Sequence, residues 1–478
     1  MKINIFLLWV VITLFTSCSD FLEEKSQDLI IPKTVKDYRE LLFGEAYLRE
    51  TTSIHTWLDL MTDDVKENIK GSIIGTDTRT KVFGYYTWQP KAEETIVGAL
   101  NTDLSWKTYY HSILICNVVL NDIGDISGDQ AEKEDLKAEA YAMRAYSYFM
   151  LVNLYGVPYN KVTASTDLGV PINDVIGMED RQFKRESVAR IYKQIEDDLT
   201  ESIQCFKASN LKKTYFRWNL PAVYLLASRV SLYKKEYDKV IEYATNVIAT
   251  NPQIYNLATK NNEDLFLNEK NPEILFTYGD YLISFYARLA KCNFPMSDAL
   301  YTLYGGTNDL RLGAFFYKRS SYYVAYKNEQ ATTTGAYGFA LRTAEAYLNR
   351  AEAYAEMGEK EKALNDLKPI RLNRLKEYKD LEADTKEDAV IRVREERRRE
   401  LCFEFHRWFD LRRWDQPRIE HTFTRDIKKP DEVEKYVLEK NDPAYTLPIP
   451  TSVMDYEQNL QDNPRPVRPD VNRPVEGQ

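Results

Sequence analysis

Ala138 to Tyr148 reads AEAYAMRAYSY and Ala344 to Tyr354 reads AEAYLNRAEAY, so the two stretches share seven of eleven residues. The shared set is the leading Ala-Glu-Ala-Tyr, then Arg144 and Arg350, Ala145 and Ala351, and finally Tyr148 and Tyr354. A small residue four places after an aromatic, with a second aromatic three places later, is the tetratricopeptide pattern, in which the small side chain lets neighbouring helices approach closely. The second copy continues with Gly358 at a turn and Ala363 and Leu367 on the next helix, and Tyr224, Ser228, Ser231, Tyr237 and Val240 repeat it more loosely up to Pro252. Because the copies lie far apart in the chain, an uninterrupted solenoid is excluded. The expected fold is mainly all-α: tetratricopeptide-like helix pairs form a scaffold, and large irregular loop insertions with few short strands lie over one side.

The flanking sequence agrees. Trp106, Tyr109, Ile113, Cys116, Leu120 and Ile123 recur at steps of three and four, one face of a helix. Leu136, Ala140, Met143, Met150, Leu151 and Leu154 do the same until Gly156-Val157-Pro158 stops them. A third helix starts near Ser187 with Val188, Ile191, Ile195, Leu199 and Phe206, and a helix-turn-helix fills Asn219 to Thr250 before Asn251-Pro252.

Composition removes other classes. The 478 residues include 34 Tyr, 20 Phe and 7 Trp, too much apolar area for a disordered chain. With 64 Lys plus Arg against 73 Asp plus Glu, the net charge of −9 leaves no basic surface for nucleic acid. Four histidines (His55, His111, His406, His421) are scattered, without an HExxH or comparable cluster, so neither a metal nor a cofactor is expected. Cys116, Cys205, Cys292 and Cys402 are each more than eighty residues from the next among apolar neighbours, and read as buried free thiols. No nucleophile elbow or phosphate-binding glycine loop appears, and no catalytic residue is assigned.

The N-terminus reads as an export signal over residues 1–17. Lys2 is followed by the apolar run Ile5 to Phe15, eleven residues and too short to span a bilayer. The small residues in Leu14-Phe15-Thr16-Ser17-Cys18 resemble a lipobox, with cleavage before Cys18 and lipid attached to it.

Residues 50 to 100 and 255 to 340 are rich in Tyr, Asn, Thr and Gly and lack sustained helical period, so they are the loops where function is expected. Exposed rings beside Asn, Asp, Arg or Gln suit a neutral ligand that presents flat C–H faces rimmed by hydroxyls. The candidates are Trp88 first, with Tyr85 and Tyr86 in one loop and Tyr281, Tyr286, Tyr322 and Tyr323 in the other. An acidic ligand, held more weakly as salt rises, would instead engage Arg79 or Arg319.

Glu395 to Trp414 reads EERRRELCFEFHRWFDLRRW, and from Asp388 to Asp415 eight Arg face seven Asp plus Glu. Glu395 with Arg399, Glu404 with Arg407 and Asp410 with Arg413 are spaced to pair on a helix. Interleaved aromatics suggest burial, so the motif reads as structural: each acid has an arginine to keep it ionised, the opposite of what a general acid needs. This run resembles the signature of the SusD/RagB family of Bacteroidetes lipoproteins, except that Phe405 stands where the family usually has Gly. Further residues carry the resemblance: Cys18-Ser19-Asp20-Phe21-Leu22, Asp309-Leu310-Arg311 and Leu447-Pro448-Ile449-Pro450 with Asn459, Gln461, Asn463 and Pro464. It implies one SusD-like domain over 18–478, with an N-terminal part to about 255 and a C-terminal part from about 256. It further implies a lipid-anchored outer-membrane protein facing the cell exterior that binds a glycan, is not an enzyme, and delivers oligosaccharides to a SusC-like TonB-dependent transporter. Glu23 and Glu24 fit the acidic tract that accompanies export to the surface. The same architecture binding peptides or another non-sugar nutrient is the alternative, as the RagB branch implies. A periplasmic tetratricopeptide adaptor is a third class, disfavoured by the lipobox and the Tyr-rich insertions.

Overall fold

The computed structural model describes residues 32–468 apart from 49–53, 55–56, 72–77, 102, 178–181, 262–263, 279–292, 328–336 and 458. Its helices of six residues or more are α1 (Val35–Leu41), α2 (Ser105–Asp122), α3 (Gln130–Tyr155), α4 (Val188–Ser209), α5 (Leu220–Lys234), α6 (Tyr237–Thr250), α7 (Asp298–Leu303), α8 (Thr343–Glu356), α9 (Lys360–Leu372), α10 (Lys386–Leu401), α11 (Arg407–Arg413) and α12 (Thr451–Tyr456). The helices expected from periodicity form where the sequence places them. Ser187 caps α4 by accepting from the Arg190 amide, and Asn219 caps α5 by accepting from the Ala222 amide. Three antiparallel strand pairs are added: β1 (Ile274–Phe276) with β4 (Leu341–Arg342), β2 (Phe316–Arg319) with β3 (Tyr322–Ala325), and β5 (Ile419–Thr424) with β6 (Val433–Leu438).

The two copies of the repeat fold alike. On α3, Arg144 makes a bidentate pair with Asp198 of α4 at 2.9 and 2.6 Å and lies 5.5 Å over the Tyr141 ring. On α8, Arg350 makes the same pair with Asp366 of α9 at 2.7 and 2.7 Å and lies 6.0 Å over Tyr347. Ala145 and Ala351 are fully buried, as close helix approach requires. The leading glutamates are buried too. Glu139 accepts from Tyr47 and Arg217, whereas Glu345 takes both arms of Arg229 at 2.6 Å.

Helix α10 passes through the centre of a buried ion network. Arg342 donates to Glu400, Glu404 and Glu273, Arg374 to Glu400 and Glu273, and Arg311 to Asp309, Glu396 and Glu400, all three arginines being at most 1% exposed. Burial acts against ionisation of Glu400, yet Arg374 and Arg342 hold it well below the usual carboxylate range; against the same burial, Arg342 and Lys327 lower the pKa of Glu404. Removing one partner would strand a charge in the core, which costs about 3–5 kcal/mol.

Two expected pairs of the motif form: Glu395–Arg399 at 3.4 Å and Asp410–Arg413 at 2.8 Å. The third does not. After Leu401 the chain leaves the helix, with Phe403 at φ 58° and Phe405 at φ 64°, so Glu404 turns inward to Arg342 and Lys327 while Arg407 reaches Asp63. The left-handed backbone at Phe405 gives the physical reason a glycine suits that position. Cys116, Cys205 and Cys402 are buried and free, whereas Cys292 lies outside the described residues.

Candidate ligand-binding site

The first aromatic loop is core. Tyr85, Tyr86 and Trp88 are 4%, 0% and 2% exposed, so the expectation of an open platform there is corrected. The turn Phe83–Tyr86 starts the packing, because a side chain at Gly84 would meet the carbonyl oxygens of Ala92, Glu94 and Lys91 at 2.6–2.9 Å. Trp88 then takes φ 51°, and its indole donates to the Met61 carbonyl at 3.0 Å. The β5–β6 hairpin closes over the loop. His421 is held between Tyr86 and Trp88 with both ring centroids 4.2 Å away, and Phe423 and Tyr436 pack edge-on against Phe83. The His421 nitrogens face the carbonyls of Tyr86 at 2.7 Å and Thr62 at 3.0 Å. Burial pushes its pKa down to about 4, against the opposing pull of those carbonyls and of Asp63. Arg79 is fully buried against Glu67 and the Thr424 carbonyl, so it faces no ligand.

The second insertion is different. Tyr281 and Tyr286 lie outside the described residues, and Tyr278 is half-buried against Tyr47, Phe276 and Phe339. Tyr322 and Tyr323 stand next to each other on β3, so they point to opposite faces. Tyr323 stacks on Tyr301 of α7 with centroids 5.3 Å apart and planes 24° apart, and Tyr301 is 42% exposed. Lys318, directly across the hairpin from Tyr323, places its ammonium 5.9 Å from that ring. Beside α7 an exposed Lys66–Asp298 pair at 2.6 Å supplies polar groups. Tyr322 occupies the other face, opposite Arg319. The structure thus brings Tyr323 to Tyr301 and Lys318, and it separates Tyr322 from them.

Tyr301 is the residue that sequence reading missed. Its signal was present: in Ser297-Asp298-Ala299-Leu300-Tyr301, Ser297 caps the helix, and Leu300 with Tyr304 faces the core at four-residue spacing, which leaves Tyr301 outside. Ring faces with an adjoining ammonium and carboxylate suit a flat, hydroxylated ligand. Among the described residues no cluster of His, Cys, Asp or Glu could hold a metal ion, and no helix is long and apolar enough to cross a membrane.

Known proteins share this fold. A family model described as starch-binding associating with outer membrane matches residues 20–232, and the SusD family model matches 293–465. The chain belongs to the SusD/RagB family. A SusD-like protein P25 from Formosa agariphila is 26% identical over 194 residues, which is 37% of this chain and 36% of that relative's length. A SusD superfamily structure from Bacteroides thetaiotaomicron is 24% identical with a TM-score of 0.70, covering 90% of this chain and all of that one. A laminarin-binding SusD-like protein is 18% identical with a TM-score of 0.61, over 91% of this chain and 100% of that one.

Proposed function

We propose that this protein captures glycan chains at the outer surface of the outer membrane and delivers them to a SusC-like TonB-dependent transporter. The observation that carries the reading is the half-open Tyr301–Tyr323 stack with Lys318 beside it, on a fold whose family is described as starch-binding. Cys18, which lies outside the described residues, is the lipid attachment site after removal of residues 1–17, and 18–478 is one SusD-like domain. Labelling cells with a palmitate analogue should mark the wild type and not Cys18→Ala.

Isothermal titration with laminarin and maltooligosaccharides, at low and high salt, tests the binding. A neutral glycan binds with little change as ionic strength rises, because it carries no charge to screen. A steep salt slope points to an acidic polysaccharide. Failure of every neutral and acidic glycan, with binding of a peptide mixture, replaces the sugar reading with the non-sugar one.

A further inference from the structure

Helix α7 carries Tyr301 yet has only six residues, too few to hold its shape without help at its ends. Both ends are held by neighbouring arginines of α10. At the start, Ser297 caps the helix by accepting from the Leu300 amide at 3.3 Å, and it is itself fixed: its hydroxyl donates to the Asp63 carbonyl at 2.7 Å and its amide to the Asp64 carbonyl at 2.8 Å. Arg398 grips that same pair, donating to the Asp63 carbonyl at 2.9 Å and to the Asp64 carboxylate at 2.7 Å. Arg407 adds two bonds of 2.8 Å to the Asp63 carboxylate.

At the other end, Arg399 donates to the Leu303 carbonyl at 2.8 Å, and the Tyr304 hydroxyl donates back to the Arg399 carbonyl at 2.9 Å. A guanidinium there also opposes the negative end of the helix. The partner ring is tied to the same scaffold. The Met296 amide donates to the Tyr323 carbonyl at 2.9 Å, and Lys327, just beyond β3, donates to the Glu400 carbonyl of α10 at 2.9 Å.

We propose that Arg398 and Arg399 are positioning residues for the ligand platform, the first setting the start of α7 and the second its end, so that the signature motif registers the Tyr301 and Tyr323 rings. This rests on the reading of those rings as the ligand surface. A purely structural role would lower stability in general; a positioning role loosens one part of the molecule.

The test uses deuterium exchange of the mature full-length chain together with titration of laminarin, comparing Arg399→Gln, Arg399→Lys, Arg398→Gln and Asp366→Asn. Asp366→Asn weakens the α8–α9 lock and serves as a destabilised reference. Arg399→Gln should speed exchange at least tenfold in 298–304 and measurably in 322–325, leave 343–372 unchanged, and weaken laminarin at least fivefold. Arg399→Lys should recover most of both losses, because an ammonium still reaches the Leu303 carbonyl. Arg398→Gln should act as Arg399→Gln does, from the other end of the helix. Asp366→Asn should speed exchange only in 343–372 and keep the affinity. If Arg399→Gln fails to fold, Tyr304→Phe keeps Arg399 and removes the reciprocal bond, together with the hydroxyl's 3.2 Å contact to Cys402 Sγ, and should give a smaller effect in the same segments. Wild-type exchange at 298–304 in both Arg399→Gln and Tyr304→Phe overturns the proposal, and so does an equal loss of affinity in Asp366→Asn. If the wild type does not bind laminarin, the choice of ligand is wrong, and the exchange pattern alone still decides whether these arginines position the rings.

Discussion

The loop around Trp88 and the surface around Tyr323 look alike as sequence, each a group of aromatic residues in an insertion without helical period, and they end in opposite environments. Over the first, a hairpin brings His421, Phe423 and Tyr436 to seal the rings from solvent. Over the second, the stack of Tyr301 on Tyr323 keeps ring area open to solvent. The contrast teaches that exposure of a loop aromatic is decided by what arrives from elsewhere in the chain, not by the loop's own composition.

Trp88→Ala gives the largest expected effect. Loss of a buried, stacked, hydrogen-bonded indole costs about 3–5 kcal/mol, so the melting temperature should fall by several degrees while the folded fraction binds glycan as before. A variant that melts normally and loses ligand would reverse the two assignments.

Next comes pH. The folded His421 has a pKa depressed from 6.5 to about 4, so between those values the unfolded chain binds the extra proton and stability is lost as pH falls. The wild type should lose about 3 kcal/mol more than His421→Gln on going from pH 7 to pH 4 in denaturant titrations. Parallel profiles for the two proteins would show that the seal over Trp88 does not depend on a neutral imidazole.

Tyr301→Ala and Tyr323→Ala should do the reverse of Trp88→Ala. Their stability should stay within about 1 kcal/mol of wild type, and glycan affinity should fall several-fold, as removal of a stacking face worth about 1 kcal/mol implies. Unchanged titration curves in both variants would remove the platform. The smallest effect is at Phe405, which has φ 64°. Both Phe405→Gly and Phe405→Ala remove the ring, but only glycine relieves the left-handed backbone. The glycine variant should therefore be more stable than the alanine variant by about 1 kcal/mol in urea melts.

Legibility in the sequence follows the range of the interactions. Helices α2 to α6 were readable because three- and four-residue spacing and their stop signals are local. Glu395–Arg399 and Asp410–Arg413 were readable for the same reason. Glu404–Arg407 was not, because the backbone turns at Phe403 and Phe405 and breaks the helix that the spacing assumes. The burial of Tyr86 depends on a histidine 335 residues away, beyond any local pattern. The exposure of Tyr301 is written only in the Ser297 cap and the single Leu300–Tyr304 step, because a six-residue helix has room for no further period.

The matched locks of the two repeats differ in one respect with a consequence for assembly. Arg144 and Asp198 are 54 residues apart in the chain, whereas Arg350 and Asp366 are 16 apart. Closing the longer loop costs about 1 kcal/mol more in chain entropy. The later-encoded pair therefore nucleates more readily, and the N-terminal pair waits on a slower search, so pulse-labelled exchange during refolding should protect the amides of α8 and α9 before those of α3 and α4. A chain emerging from synthesis would complete its second repeat soon after making it, while its first stays open until the connecting segment has found its place.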